Sequence, residues 1–272
     1  MRFSGQAFGK KPIVSYLAGL FFPYNSFALS DSLVIIPTYN EKENIVSMIE
    51  TVFSLHHPFH ILIVDDGSPD GTAGLVREQQ RIFPDRLFLL ERSGKSGLGK
   101  AYIAGFHWAL ARGYSYIFEM DADFSHNPKD LERLYAACAR GAGVAVGSRY
   151  VRGGGVVNWP KDRLFLSKGA SLYVRMISGM PVKDPTAGFV CYRREVLETL
   201  DLDKIHFVGY AFQIEMKFAA RQLGFRIEEV PIVFTDRIAG VSKMSKKIIT
   251  EAIKGVLQLR WNSFFSSYAK SK

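Results

Sequence analysis

Two aspartates, Asp121 and Asp123, stand one residue apart directly after the apolar run Tyr114–Met120. At the carboxyl end of a strand, both carboxylates can turn toward one hard divalent cation. Mg²⁺ is usually held by one or two carboxylates together with the phosphates of a substrate. The pair therefore predicts a site for Mg²⁺ or Mn²⁺ and a substrate that carries a diphosphate. The alternative is a solvated loop or a helix cap, since acidic pairs are common at strand ends.

Polar residues follow three further apolar runs in the same way. The four sets are residues 37–41, Asp65–Ser68, Asp121–Asp123 and Gly147–Arg149. In a mostly parallel sheet, ligands sit beyond the carboxyl ends of the strands. We therefore expect the four sets to form one site, although any one of them alone could be a solvated loop.

The elements that must hold these residues alternate between strands and helices. The predicted strands are Ser32–Pro37, His60–Val64, Arg86–Leu90, Tyr114–Met120 and Val144–Ser148. The predicted helices between them are Glu43–Leu55, Thr72–Phe83, Gly97–Ala111 and Lys129–Ala139. This alternation predicts an α/β fold of right-handed βαβ units, with a mostly parallel sheet flanked by helices.

The second half of the chain is less regular. Its predicted helices are Leu164–Ile177, Arg194–Leu200 and Tyr210–Leu223. Its predicted strands are Gly188–Tyr192 and Phe225–Phe234, the latter interrupted by Pro231.

The C-terminal residues from Lys246 onward predict an amphipathic helix, because Ile249, Ile253 and Val256 recur on one face. A basic amphipathic helix with aromatic residues can lie in a membrane interface, and packing on its own domain is the alternative. We therefore divide the chain into an N-terminal extension (residues 1–31), a globular domain (32–245) and a C-terminal helix (246–272).

The composition is that of a folded protein with an excess of basic residues. The 272 residues carry a net charge of +9, and the two cysteines give no disulfide framework or zinc site. A basic chain can favour nucleic acid, an anionic membrane surface or phosphate-rich substrates. No RNA-binding aromatic signature or helix-turn-helix pattern is present, so nucleic acid is not expected.

Lys11–Ser30 has the pattern of a signal peptide, but Pro23–Ser26 breaks its apolar run, which is short of the ~20 residues of a membrane span.

Several candidate residues suit the base and ribose of a nucleotide. Asp65 and Asp66 can accept hydrogen bonds from a ribose hydroxyl or a base N–H, or they can simply form a turn with Gly67. Tyr39 can pack on a base. Glu41 can bond to base or ribose, or it can serve as a first-turn carboxylate favoured by the helix macrodipole.

Basic residues suit the diphosphate. Arg149 and Arg237 offer planar forks of donors to phosphate oxygens, and Lys243 offers a point charge. A solvated surface position is the alternative for each. A cation at Asp121 and Asp123 would stabilise a leaving nucleoside diphosphate as a Lewis acid.

At these residues the chain resembles the nucleotide-sugar glycosyltransferases with a GT-A fold, and among them the dolichol- and polyprenol-phosphate mannosyltransferases. The similarity runs from Leu33 to about Lys243. The shared segments are IIPTYNEKENI (Ile35–Ile45), VDDGSPDGT (Val64–Thr72), GKSGLGKAYIAGF (Gly94–Phe106), MDADFSHNP (Met120–Pro128), GSRYVRGGGVVNW (Gly147–Trp159), DPTAGFVCY (Asp184–Tyr192), GYAFQIEM (Gly209–Met216) and EVPIVFTDRIAGVSKM (Glu229–Met244). The glycine-rich segment, DPTAGF and the last segment are the most specific.

The resemblance implies transfer of mannose from GDP-mannose to a polyprenyl monophosphate, with inversion of the anomeric carbon. The positions that match the nucleotide-contacting ones are Pro37, Tyr39, Glu41, Val64 and Asp66. Those that match the metal and diphosphate positions are Asp121, Ala122 and Asp123, and those that match phosphate-contacting ones are Arg149, Arg237 and Lys243. The resemblance thus implies Asp123 and Arg149 as catalytic residues. Ser125 stands where some relatives carry a glutamine metal ligand, so the chain departs from the pattern of those relatives at this position.

A lipid acceptor implies work at the cytoplasmic surface of a membrane, by peripheral attachment or through a membrane-anchoring partner. The C-terminal helix and the positive charge are compatible with attachment. Three other functions remain open at this stage. They are a transferase of the same fold using UDP-glucose or a related donor, a non-catalytic protein that binds sugar nucleotides, and a dinucleotide-dependent oxidoreductase. The last is disfavoured because Gly94–Gly99 lacks the GxGxxG spacing.

Overall fold

The computed structural model describes residues 30–207, 209–236, 246–264 and 267–270, with side chains except at 210 and 246–253. The strands are β1 (Ser32–Thr38), β2 (His60–Asp65), β3 (Leu87–Glu91), β4 (Tyr116–Glu119), β5 (Val144–Ser148), β6 (Gly155–Val157), β7 (Val190–Arg193), β8 (Ile227–Pro231) and β9 (Val233–Thr235). The helices are α1 (Ile45–Phe53), α2 (Thr72–Ile82), α3 (Leu98–Ala111), α4 (Asp130–Ala139), α5 (Lys161–Ser178), α6 (Arg194–Thr199), α7 (Tyr210–Gln222) and α8 (Lys246–Asn262), with a 3₁₀ turn at Leu202–Lys204. Most of the predicted N-terminal extension lies outside the described residues.

The main sheet has seven strands in the order β3-β2-β1-β4-β7-β5-β8. All neighbours are parallel except β7, which runs antiparallel to both β4 and β5. The predicted α/β fold with a mostly parallel sheet is therefore confirmed. The chain builds β1, β2 and β3 outward in one direction and then places β4 on the other side of β1. The strand order thus reverses between β1 and β4, and such a switch point opens a crevice at the carboxyl ends of the strands.

The sheet is covered on both faces, which explains its near-continuous apolar strands. Successive residues of a strand point to opposite faces, so Leu33 and Ile35 pack into one core with α3 and α7, while Val34 and Ile36 pack into the other with α1 and α4. Helix α3 lies especially close to β1. A Cβ built on Gly105 would lie 2.7 Å from Cγ2 of Ile35, so only glycine fits this contact.

The predicted strand Phe225–Phe234 is wrong as a single element. Pro231 has no N–H to donate, and the chain divides there into β8, which pairs with β5, and β9, which pairs with β6. Strand β6 (Gly155–Val157) was not predicted, because three residues between glycines and Asn158 carry little pattern. The predicted strand Gly188–Tyr192 is observed as β7, shifted toward Arg193.

Helix α8 begins at Lys246, as predicted, and packs against α5 and α7. Val256 and Leu259 are buried on this contact, whereas Leu257 and Trp261 are exposed. The helix therefore packs on its own domain through one stripe and still presents apolar side chains to solvent. Across the described ranges, no helix combines the length and the apolar character that crossing a bilayer requires.

Candidate active site

The four predicted sets of polar residues leave the main sheet at one edge. Strands β1, β2 and β4 run parallel and β5 runs in the same direction, because β7 is antiparallel to both β4 and β5. The chain after β4 stays in register with β1, since Met120 N donates to Ile35 O at 3.2 Å. Asp121 and Asp123 consequently leave the sheet alongside the carboxyl end of β1, at the switch point.

Asp65 forms the turn after β2. Its Oδ2 accepts from Thr38 Oγ1 at 2.8 Å and from Ser68 Oγ at 2.6 Å, and its Oδ1 accepts from Ser68 N at 2.9 Å. The residue is 1% exposed. Of the two roles considered for Asp65, the structure therefore favours the turn over an acceptor for ribose or base, because both carboxylate oxygens already have donors from the protein.

Asp66 faces the glycine-rich segment instead. Its Oδ1 accepts from Arg92 Nη1 at 2.8 Å, and burial raises the pKa of its carboxyl, with the Arg92 charge opposing that shift. Arg92 also bonds to Ser96 Oγ. Nearby, Lys95 Nζ lies 4.5 Å from the centre of the Tyr39 ring, which stays 38% exposed. A partly exposed aromatic ring, a carboxylate and two cations thus share this end of the site.

The remaining predicted nucleotide residues differ in their access. Glu41 precedes α1, where its Oε2 accepts from Asn44 Nδ2 at 3.1 Å and its N–H donates to Thr72 Oγ1 at 3.1 Å. Pro37 is half-buried near the end of β1. Val64 is 0% exposed within β2, so its side chain belongs to the core and only its backbone could face a ligand.

The carboxylates of Asp121 and Asp123 are both partly exposed, while Ala122 between them is buried. Phe124 takes a left-handed conformation (φ 57°), which turns the chain so that Ser125 N donates to Asp123 Oδ1 at 3.0 Å. Behind them, His126 Nδ1 lies 4.0 Å from Asp121 Oδ2. This sharp turn leaves both aspartates partly accessible to solvent.

The donor set fits a hard divalent cation. Within the described ranges, no three His, Cys, Asp or Glu side chains converge as a metal site, and the two aspartates are the ligands that this part of the chain would offer. That is the usual share for Mg²⁺, which keeps the remaining positions for water and substrate phosphates. Ser125, which matches the glutamine position of some relatives, is buried, and its Oγ has no hydrogen-bond partner in the described part of the chain.

Arg149 is held rigidly at the end of β5. Its Nε and Nη2 donate to the two oxygens of Asp184 at 2.7 Å each, and its N–H donates to Asp184 Oδ2 at 3.0 Å. Asp184 is 0% exposed and in turn precedes Thr186, whose Oγ1 accepts from Arg149 Nη2 at 3.0 Å. Bidentate pairing fixes the plane of the guanidinium as well as its position. Asp184 lies in the DPTAGF segment, but sequence reasoning assigned it no role.

Aromatic rings surround the Arg149 guanidinium, whose carbon lies 5.1 Å from the ring centre of Tyr150, 5.4 Å from that of Trp159 and 5.6 Å from that of Phe234. A second guanidinium, that of Arg163, lies 4.1 Å from the Trp159 ring centre and bonds to Asp236 at 2.8 Å. The guanidinium groups of Arg149 and Arg163 thus both lie near the indole ring of Trp159. Arg163 was missed by sequence reasoning because nothing in its local pattern separates it from a solvated helix residue.

A buried polar network joins the aspartate turn to the Arg149 support. Gln213 Nε2 donates to Glu119 Oε2 at 2.7 Å, just before the aspartates. Lys217 Nζ donates to Gln213 O, to Gln213 Oε1 and, at 2.6 Å, to Ala187 O in the loop that follows Asp184. Burial raises the pKa of Glu119 and lowers that of Lys217, each to about 8. Helix α7 therefore fixes the two halves of the site relative to each other.

Arg237 and Lys243, the last two predicted phosphate-contacting residues, lie outside the described residues. The others of the predicted set lie at the carboxyl ends of β1, β2 and β4 or in the segments that follow them, and Arg149 lies directly after β5.

Comparisons with known proteins agree with this architecture. Residues 33–201 match the profile of glycosyl transferase family 2. The chain is 53% identical over 222 residues to the polyprenol monophosphomannose synthase of Mycolicibacterium smegmatis, covering 82% of this chain and 84% of that protein. It is 46% identical over 233 residues to the undecaprenyl-phosphate mannosyltransferase of Micrococcus luteus, covering 84% and 95%.

Solved structures with the same fold are more distant in sequence. Glucosyl-3-phosphoglycerate synthase from Mycobacterium tuberculosis superposes with a TM-score of 0.60 at 17% identity, over 84% of this chain and 79% of that one. Mannosyltransferase PcManGT from Pyrobaculum calidifontis gives 0.53 at 16% identity, over 87% and 76%. These identities support the fold alone. From the profile match and the two relatives, this chain belongs to glycosyl transferase family 2 and is a glycosyltransferase.

Proposed function

We propose that this enzyme transfers mannose from GDP-mannose to the phosphate of a polyprenyl monophosphate, with inversion at the anomeric carbon and with a divalent cation. One observation carries the proposal: two partly exposed carboxylates and an immobilised guanidinium lie along the same edge of the sheet. The names of the two relatives, a polyprenol monophosphomannose synthase and an undecaprenyl-phosphate mannosyltransferase, support this choice of acceptor and sugar.

The donor would bind across the switch point. Tyr39 offers a ring for the base, while Glu41 and Asp66 offer carboxylates to base or ribose. Asp121 and Asp123 would hold Mg²⁺ or Mn²⁺, and PcManGT, which shares the fold, is described in complex with GDP-Man and Mn²⁺. When bound, the cation supplies Lewis-acid stabilisation of the leaving diphosphate. Asp184 keeps the positive charge of Arg149 in place at the end of β5, where it can balance phosphate charge.

The acceptor needs little activation. A phosphate monoester has its second pKa near 6, so at neutral pH it is already an anionic nucleophile. A general base, which transfer to a sugar hydroxyl would need, is then not required. We infer that the protein accelerates transfer by aligning the acceptor oxygen with the anomeric carbon, while Arg149, Arg163, Arg237 and Lys243 balance the phosphate charges.

A donor and acceptor panel tests the proposal. The purified protein is incubated with Mg²⁺ or Mn²⁺, a polyprenyl phosphate and labelled GDP-mannose or UDP-glucose, and organic-soluble label is counted. We expect a labelled lipid with GDP-mannose that disappears with a chelator. Efficient labelling from UDP-glucose but not from GDP-mannose would contradict the donor assignment, and no turnover with any donor would leave a binding protein.

The metal assignment has its own test. Asp121→Ala and Asp123→Ala should each abolish transfer while leaving the near-UV circular dichroism spectrum unchanged. Asp203→Ala is the matched control, because the Asp203 side chain is 88% exposed on the surface and its nearest ionic neighbour is His107. Turnover retained in both site variants would contradict the role of the carboxylates.

We also propose that the enzyme works at the cytoplasmic surface of a membrane, attached peripherally or by a membrane-anchoring partner. The chemistry of a polyprenyl acceptor supports this location, and so does the exposure of Trp261 and Leu257 on α8. Flotation with lipid vesicles measures it, and a wild-type chain that stays entirely in the aqueous fraction with and without acceptor would speak against peripheral attachment.

A further inference from the structure

Helix α5, the loop after β5 and Lys183 line an open cavity of about 390 Å³ that Arg149 borders. Three further cations line it: Lys168 and Arg175 on α5, and Lys183. The ion pairs of this region engage Arg149 with Asp184 and Arg163 with Asp236, and no described carboxylate pairs with the other three cations. Like charges gathered around one cavity repel each other unless an anion lies between them.

Two of the side chains that line this cavity also carry a buried donor atom. Ser171 lines it and is 2% exposed, yet its Oγ has no hydrogen-bond partner among the residues that the structure describes. Within the same limits, Nε of Arg175 is buried and unpartnered. Buried polar groups are normally hydrogen-bonded, so these donors call for an acceptor with several oxygens. Cations together with neutral donors are the groups that bind a phosphate.

The surroundings indicate that such a phosphate belongs to an amphiphile. Leu172 lines the cavity and is 52% exposed, while Phe165 and Met176 on the same helix are 82% and 69% exposed. Their spacing places the three side chains on one stripe of α5. An inorganic anion gains nothing from an apolar stripe, whereas the hydrocarbon part of a phosphate ester does.

We propose that Lys168, Ser171, Arg175 and Lys183 form a binding pocket for the phosphate ester of a lipid, next to the proposed donor site, with Arg149 bordering both. Two sources share this chemistry. One is a polyprenyl phosphate, acceptor of the proposed reaction, and the other is the headgroup of an anionic phospholipid at a membrane surface. Only the first source rests on the proposed function.

Calorimetric titration of the full chain, without donor and without metal, tests the pocket. The probes are farnesyl phosphate, monomeric dihexanoyl phosphatidylglycerol, its zwitterionic phosphatidylcholine counterpart and inorganic phosphate. We expect at least one of the two anionic lipids to bind, at least tenfold more tightly than phosphatidylcholine and inorganic phosphate. Raising the salt concentration should weaken this binding, because the pocket is cationic.

Variants assign the binding to these residues. Lys168→Ser combined with Arg175→Gln should weaken lipid binding at least tenfold, and Ser171→Ala, which removes only the hydroxyl, several-fold. The matched control is Arg81→Gln combined with Arg221→Ser, which removes two exposed cations of α2 and α7 and should leave the affinity within twofold. Near-UV circular dichroism checks that each variant is folded.

The outcomes separate the sources. A loss confined to farnesyl phosphate assigns the pocket to the acceptor, a loss confined to phosphatidylglycerol assigns it to the membrane, and a loss of both supports a shared ester site. The proposal is overturned if neither lipid binds, if inorganic phosphate binds equally tightly, or if the double variant binds like the wild type. None of these titrations depends on catalytic turnover. A failure of the transfer assay and a failure of the binding assay can therefore be told apart.

Discussion

Replacement of Lys217 by methionine tests whether the buried network on α7 holds the site together. Lys217 is 0% exposed, and its Nζ donates to three acceptors, Ala187 O, Gln213 O and Gln213 Oε1. Three donors are what an ammonium group supplies. Methionine fills a similar volume and donates nothing, so the variant removes the charge and all three hydrogen bonds without opening a large cavity.

The size of the effect follows from burial. Glu119 is also 0% exposed and is linked to Lys217 through Gln213, so the variant leaves Glu119 buried without its positive counterpart. Removing the ammonium leaves three buried acceptors without their donor, at a cost of about 3–5 kcal/mol in total, since each buried polar group left unsatisfied costs about 1–3 kcal/mol. We therefore expect Lys217→Met to lower the free energy of unfolding by about that amount.

Urea unfolding of a double-mutant cycle with Glu119→Gln measures this coupling. Glutamine keeps an acceptor for Gln213 Nε2 but carries no charge, so the double variant should be less destabilised than the sum of the single variants by about 1–3 kcal/mol. Glu215→Gln is the control, because Glu215 is buried on the same helix and binds His206 N, Phe207 N and Tyr268 OH instead. Its combination with Lys217→Met should be additive.

Two results would refute the reasoning. One is a loss below about 1 kcal/mol in Lys217→Met, which would mean that the ammonium contributes little in the folded state. The other is a Lys217–Glu119 cycle that is additive within about 0.5 kcal/mol, since independent sites behave in that way.

Three further predictions concern single positions. Asp184→Asn should lower the free energy of unfolding by about 3 kcal/mol and the transfer rate at least tenfold, because Arg149 loses its buried counter-charge. Urea unfolding measures the first effect and turnover per folded molecule the second, and wild-type turnover in the variant would contradict the prediction. Burial lowers the pKa of His60 below its ordinary 6.5, so the unfolded chain takes up a proton that the folded chain does not. The contribution of His60 to the free energy of unfolding should be fully present above pH 6.5 and fall as the pH drops, by at most about 1.4 kcal/mol per pH unit. His60→Asn should reduce the slope of melting temperature against pH between pH 5 and 8, and an unchanged slope would contradict this prediction. Gly105→Ala should lower the free energy of unfolding by about 1–3 kcal/mol, because its Cβ would overlap Ile35. Gly169→Ala on α5, which has open space around it, should be neutral or stabilising in the same urea assay. Equal effects of the two substitutions would contradict the packing argument.

The local sequence pattern was sufficient to predict a strand where burial governs every residue of that strand. Strands β1 and β2 are buried on both faces, so their apolar runs are nearly continuous and mark them without tertiary information. The aspartates at 121 and 123 stand out for a related reason, because a charged pair directly after a buried run has to leave the sheet. The motifs around them then identified the family.

Local pattern was insufficient where a partner distant in sequence decides the role of a residue. Asp65 and Asp66 are adjacent acids, but Thr38 and Ser68 donate hydrogen bonds to Asp65, whereas Arg92 donates to Asp66. The same holds for Arg149, whose orientation depends on Asp184, 35 residues further along the chain. Pairings of this kind depend on which loops the sheet order brings together, and no periodicity records them.

The amino-acid sequence by itself determined the α/β class, most of its strands and helices, and the residue types at the strand ends, because burial and backbone hydrogen bonding act on neighbouring residues. Only the tertiary structure decided that β7 runs antiparallel, that the segment around Pro231 serves two sheets, and that Lys217 joins the aspartate turn to the support of Arg149. These features arise from contacts between segments far apart in the chain, whose energies depend on distance and desolvation in the folded molecule.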